Sequence, residues 1–322
     1  MMRASGLFAT FRRANQHKIL ILTYHRFSEQ PKRGFTHARA LAEQLEYLRA
    51  HYTIVSLSAV ERHLIEGKPL PIAPVAITID DGYADAYEIA FPILRRYRAP
   101  ATLFAATDFI DGKGWVWTDQ LRYVKARLAG STSHHFDPDR ANAELKRLPD
   151  DERQRRIALI SKELGVTVPP LPPADCRALT WDHAREMILG GVEIGSHTVT
   201  HPILPHVDAA QLAYELQQSR NRLEQMLNRD ITLFCYPNGD YDGRVRNAAA
   251  GAGYRLAVTT ECGLNDRGSD PLALRRIHTD CDLTHFIQST SGFEQFKDGL
   301  RTLSPAARVM VAARDDSARS TS

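Results

Sequence analysis

The sequence predicts an α/β protein built on a parallel sheet, closed or open. Three observations carry that prediction. Short continuous apolar runs recur along the chain, as strands buried on both faces do. Segments with apolar residues at helical spacing lie between them, and strand–helix alternation favours parallel pairing. The acidic and histidine motifs fall just after strand ends, where parallel sheets and barrels build their sites.

The run Ile19-Leu20-Ile21-Leu22-Thr23-Tyr24 reads as the first buried strand. Thr36 is the expected cap of a helix carrying Leu41, Leu45 and Leu48 on one face. Residues 52–57 read as a strand, Ser58 as the start of a short helix, and 68–74 as a proline-rich connection. Strand 75–79, helix 84–97 and strand 101–105 follow. Residues of about 111–179 break the alternation: Trp115, Trp117 and Asp119, a polar helical region over 145–164, then Pro169-Pro170-Leu171-Pro172-Pro173. This segment has too few apolar residues for its own core and reads as a helical insertion capping the sheet edge.

Thr180 is placed to cap a helix that ends at Gly190-Gly191, before strand 192–195. Asp208 opens a helix to about Asn228, with Leu212, Leu216, Leu223 and Leu227 on one face. Strand 231–236, helix 241–253 and strand 254–259, the last clear strand, complete the pattern. Residues 304–322 lack apolar periodicity and read as a disordered tail, and 1–16 as a flexible N-terminus. The span 17–303 reads as one domain, with the insertion inside it.

The 322 residues are 43% hydrophobic and 25% charged, ordinary for a globular chain with a sizeable core. The net charge of +3 is too small to argue for nucleic acid or an anionic membrane. Four scattered cysteines (Cys176, Cys235, Cys262, Cys281) form no CxxC pair and read as reduced thiols. Arg12-Arg13 interrupts the first apolar stretch before it reaches the roughly 7–15 residues of a signal core. The expectation is a cytoplasmic location, with peripheral contact at the inner face of a membrane through Phe8 and Phe11 as the alternative to a frayed end.

Asp80-Asp81-Gly82 follows strand 75–79, and His197 and His201 follow strand 192–195. Alone, Asp-Asp-Gly suits a turn and a histidine pair suits hydrogen bonding. Together they supply one Asp and two His, a three-ligand set that leaves metal positions open for water and substrate. The surplus carboxylate stands where a general base is needed, which points to a metal-dependent hydrolase. Adjacent strand residues face opposite ways, so both carboxylates share one site only if the chain turns at Gly82.

Thr78-Ile79-Asp80-Asp81-Gly82 resembles the Thr-Phe-Asp-Asp-Gly motif of the polysaccharide deacetylases, carbohydrate esterase family 4. Ser196-His197-Thr198-Val199-Thr200-His201-Pro202 resembles that family's His-Ser/Thr-x-x-x-His-Pro motif, and the likeness covers roughly residues 17–290. The resemblance implies a distorted (β/α) barrel of about seven parallel strands. It implies removal of acetyl groups, mostly N-acetyl, from an acetylated sugar by one divalent metal: zinc first, with cobalt, nickel or manganese as alternatives. Asp80 is then the base, and Asp81, His197 and His201 are the ligands. Leu22-Thr23-Tyr24-His25-Arg26 is similar to the branch acting on poly-N-acetylglucosamine, which makes His25 the general acid, with His278 as competitor. Tyr24, Trp117, Pro237 and Asn238 are the candidate substrate contacts, the Asn238 N–H serving an oxyanion. The family's third motif opens with an Arg that orients the base; Cys235 stands there, leaving Arg275 or Arg276 to replace it in space. The rival readings are an O-acetyl esterase or other amidase on the same metal, and a non-catalytic sugar-binding homologue.

Overall fold

Strand residues alternate between two apolar environments, and this lets the sheet close on itself. The computed structural model describes residues 2–128 and 136–302. Among them ten strands form: β1 (Leu20–Tyr24), β2 (Phe27–Ser28), β3 (Thr36–His37), β4 (Thr53–Val55), β5 (Pro74–Ile79), β6 (Ala101–Ala105), β7 (Val192–Ser196), β8 (Leu233–Cys235), β9 (Leu256–Cys262) and β10 (Leu274–His278). Seven of them make a closed parallel ring in the order β1-β10-β9-β8-β7-β6-β5 and back to β1. β1 and β5 pair along their length, from Leu20 opposite Val75 to Tyr24 opposite Ile79.

Leu20, Leu22 and Tyr24 of β1, and Val75, Ile77 and Ile79 of β5, pack in the large apolar cluster shared with the surrounding helices. Ile21, Ala76, Phe104, Cys235 and Val258 belong to a second buried cluster. Each fully buried aliphatic side chain contributes about 1.5–3 kcal/mol. Gly195 of β7 is required by this packing, since a Cβ there would lie 2.6 Å from the Phe104 ring.

The expected count of seven ring strands holds, but the membership differs. The strand expected over 52–57 is the three-residue β4, which flanks β5 outside the ring. The missing ring member is β10, beyond the strand taken as the last clear one. One cap moves: His37, not Thr36, accepts from the Ala40 N–H; the helix expected to start at Ser58 starts at Leu57, with Ser56 accepting from the Ala59 N–H. Thr180 and Asp208 cap their helices as expected, and Asn228 ends its helix in the left-handed conformation.

The N-terminal segment expected to be flexible forms a helix, Met2–Ala14. It docks through Phe8 and Phe11, whose rings lie 5.5 and 5.2 Å from the Phe293 ring, edge-on geometry favourable to aromatics. The insertion contains helices Trp117–Leu128, Pro138–Leu145 and Asp150–Glu163. Its small cluster of Trp117, Leu121, Leu145 and Ile157 is completed by Ile203 from the barrel rim. No helix of the described residues is long and apolar enough to cross a membrane. The tail expected to be disordered, 304–322, lies outside the described residues.

Candidate active site

Parallel closure brings the C-terminal ends of β1, β5, β7, β8 and β10 to one rim, and the site is assembled there. Asp80 directly follows β5, its N–H donating to the Tyr24 carbonyl. At Asp81 the backbone turns into the left-handed region, φ 78°, and continues so at Gly82, φ 91°. That turn is what allows neighbouring carboxylates to share a site. A bend follows β7, with Thr198 at φ 69° and His201 at φ 60°.

Asp81 Oδ1 lies 3.4 Å from His197 Nε2 and 3.4 Å from His201 Nε2. The three residues form a buried group able to hold a metal ion. Tetrahedral ligands on bonds of about 2.0–2.1 Å stand about 3.3 Å apart, which these separations match. His197 Nδ1 lies 2.7 Å from the Cys235 carbonyl. A carbonyl only accepts, so Nδ1 carries the proton and Nε2 turns its lone pair toward Asp81, the tautomer a ligand needs. His201 Nδ1 is buried and has no hydrogen-bond partner among the described residues. The donor set and its spacing fit a divalent cation.

Arg276 of β10 is fully buried and grips the other carboxylate with both arms, Nη1 to Asp80 Oδ1 at 2.8 Å and Nη2 to Oδ2 at 2.7 Å. Its remaining donors reach the Thr259 carbonyl, Thr78 Oγ1 and Cys235 Sγ. Cys235 thus leaves the space that Arg276 fills from the next-but-one strand of the ring. Burial alone would raise the Asp80 pKa, but the guanidinium outweighs it and holds the group near about 2. Burial pushes the Asp81 pKa up, but the two adjacent imidazoles, His197 and His201, outweigh it and hold the group well below the usual range. Two buried carboxylates facing one guanidinium leave a negative charge for a cation to balance.

His25 Nε2 lies 3.6 Å from Asp80 Oδ2, with the side chain 43% exposed. His25, Asp80, Asp81, His197, His201 and Asn238 line one cavity of about 310 Å³. His278 lines the neighbouring cavity behind His25 instead. Asn238, at φ 56°, is set by the turn that Pro237 opens; its carbonyl accepts from Thr260 Oγ1, and its buried Nδ2 has no partner among the described residues. Two expected contacts are corrected. The Tyr24 side chain is buried on the outer face of β1, with its hydroxyl donating to Gln44 Oε1. Trp117 is 2% exposed in the insertion's own cluster, so neither ring is available to a substrate.

One residue of the site carried no sequence signal. Glu215, buried in helix Ala209–Leu227, accepts from the Val199 and Thr200 N–H groups, Thr200 Oγ1 and Gln211 Nε2. It thereby fixes the loop between the two histidines. Outer partners of metal ligands are typically worth 10–100-fold in affinity. Glu215→Ala is therefore expected to weaken zinc binding by about that factor, with Glu215→Gln in between, as read by competition with a chromogenic chelator. Equal zinc affinity in all three proteins would refute the role.

The family profile described as polysaccharide deacetylase matches residues 67–257. The chain is 38% identical over 238 residues to the poly-beta-1,6-N-acetyl-D-glucosamine N-deacetylase of Escherichia coli (strain K12), covering 70% of this chain and 31% of that protein's length. Two solved structures share the fold. The Streptococcus pyogenes deacetylase PplD in complex with acetate superposes with a TM-score of 0.61 at 22% identity, over 85% of this chain and 98% of that one. IcaB from Ammonifex degensii superposes with a TM-score of 0.60 at 19% identity, over 86% and 97%. Barrel, rim site and relatives together define a hydrolase that acts on carbohydrate acetyl groups. The chain belongs to the polysaccharide deacetylase family.

Proposed function

We propose that the chain hydrolyses the N-acetyl groups of an N-acetylglucosamine-type glycan, using a divalent metal, zinc first, held by Asp81, His197 and His201. The observation that carries this reading is the ionised Asp80 carboxylate, pinned by Arg276 beside that three-donor set. The ion, when bound, supplies Lewis-acid polarisation of the acetyl carbonyl. Asp80, kept charged and oriented by Arg276, takes the proton of the attacking water as general base. His25, half-exposed on the same cavity, gives a proton to the departing amine. Asn238 places an amide donor at the cavity wall for the oxyanion. The sugar class is supported by the E. coli relative, whose printed name specifies a β-1,6-linked N-acetylglucosamine polymer.

The test combines elemental mass spectrometry with acetate release from β-1,6-linked N-acetylglucosamine oligomers. The wild type is expected to carry about one divalent ion per chain and release acetate, and His197→Ala to lose both. A wild type that stays metal-free after incubation with zinc or cobalt would overturn the reading.

A further inference from the structure

The acid of the site is held differently from the base. Asp80 is gripped by both arms of Arg276. The His25 ring stands 3.6 Å from Asp80 Oδ2 and makes no hydrogen bond among the described residues. Its aim therefore depends on the backbone on either side of it. Before it, β1 pairs with β5 as far as Tyr24 opposite Ile79, and the Tyr24 hydroxyl is fixed on Gln44. After it the chain leaves the ring, and the hold there is built around the buried side chain of Arg26.

Arg26 gathers segments that lie far apart in sequence. Its Nε donates to Asp85 Oδ2 at 2.8 Å, and the other oxygen of that carboxylate accepts from the Phe27 N–H at 3.1 Å. Asp85 thus clamps the two residues after His25 from the helical turn that follows Asp80-Asp81. Arg26 Nη2 donates to the Asp175 carbonyl at 2.5 Å, and Nη1 lies 3.7 Å from Asp119 Oδ2. Asp119 and Asp175 stand near opposite ends of the insertion. The guanidinium lies over the Tyr83 ring, 3.9 Å from its centroid, and the Tyr83 hydroxyl donates to Asp119 at 2.5 Å. Arg122 donates to the other Asp119 oxygen at 2.8 Å, so cations and carboxylates balance. Burying such a network adds little net stability over a well-packed apolar set. What it fixes is where these segments stand relative to one another.

We propose that Arg26 is a positioning residue for the acid: through Asp85 and both ends of the insertion it aims the His25 imidazole at the departing nitrogen, so that the seating of the insertion sets how well the amine is protonated. This rests on the deacetylase reading above, in which the C–N bond breaks as that nitrogen takes the His25 proton.

The experiment compares two substrates that differ in their need for an acid. The amine leaves an N-acetyl sugar only with a proton, whereas para-nitrophenolate leaves para-nitrophenyl acetate as the anion. Arg26→Met is expected to lower kcat for acetate release from β-1,6-linked N-acetylglucosamine oligomers by about 10–100-fold at little-changed KM, while kcat/KM for the ester moves by less than about threefold. Arg26→Lys, which keeps the charge without the paired contacts, is expected to recover part of the loss. In a His25→Ala background Arg26→Met is expected to add no further loss, because it acts through that ring. Arg26→Met strands two carboxylates, so Asp119→Asn, a change of similar shape, carries the same comparison if that variant does not fold, with a loss of at least about threefold confined to the N-acetyl substrate. Equal losses on the two substrates, or a further loss in the His25→Ala background, would overturn the proposal. A wild type that cleaves the ester but not the oligomers would overturn the deacetylase reading, and the proposal with it.

Discussion

Asp80→Asn is expected to retain about one divalent ion per chain while turnover falls by roughly 10²–10⁴, the usual contribution of a positioned acid–base group. The two effects separate because the residues divide cleanly. Asp81 stands 3.4 Å from each of His197 and His201, and the three need nothing from Asp80 to keep their places. The amide is nearly isosteric and still accepts one arm of Arg276, but it takes no proton from water. Metal content by elemental mass spectrometry, beside acetate release on one protein preparation, checks both halves. Substantial retained turnover would remove Asp80 as the base; lost metal would mean that Asp80 is a ligand.

Arg276→Met is expected to be the most damaging single change to stability among the rim residues. It removes both charge-assisted hydrogen bonds to the buried Asp80 carboxylate and leaves only the half-exposed His25 nearby, and breaking a buried pair in this way typically costs about 3–5 kcal/mol. Denaturant unfolding of the metal-free protein reads this directly. The pH dependence gives an independent check. In the wild type the Asp80 pKa falls from 3.8 to about 2 on folding. A depressed carboxylate stabilises the fold above its unfolded pKa, and that stability disappears as pH falls through the folded value. The wild type is thus expected to lose about 2 kcal/mol from this group between roughly pH 4 and pH 2. In Arg276→Met burial is opposed only by His25 and His197, and the pKa rises. The group's contribution to stability above pH 4 then shrinks, and the acid limb of the activity profile moves upward. An unchanged acid limb would show that Arg276 does not set the charge of the base. A lysine at 276 is a poor substitute, because one ammonium cannot make the paired contacts of the guanidinium.

The two motifs were legible because each is local: adjacent carboxylates after β5 and paired histidines after β7, both delivered by apolar strands. Arg276 was not, for a physical reason. It lies 196 residues from Asp80 in sequence, and only ring closure brings them together. The same residue hid its own strand. Leu274-Arg275-Arg276-Ile277-His278 lacks a continuous apolar run because Arg276 is buried in the interior and its neighbours Arg275 and His278 face out. A functional side chain thus broke the pattern that identifies a strand. Tyr24 and Trp117 failed in the opposite direction. An aromatic residue near a site reads alike whether it lines a groove or fills a core, and here Gln44 and the insertion's cluster claim both. The N-terminal helix escaped notice because the rings that receive Phe8 and Phe11 lie at the other end of the chain.

The ring closes where β1 meets β10, and Thr279 donates to the Thr23 carbonyl across 256 residues of sequence. His25 follows one of these strands and Arg276 lies within the other. Contacts of such high contact order form late and slowly, after most of the chain has been ordered. The acid and the base are aligned by the β1–β5 pairing, but the guanidinium that orients the base joins them only when the first and last strands meet. A partly folded chain, or a fragment released before β10 has been synthesised, could keep Asp81 and both histidines in place and bind a cation, yet leave its base without the guanidinium that charges and aims it.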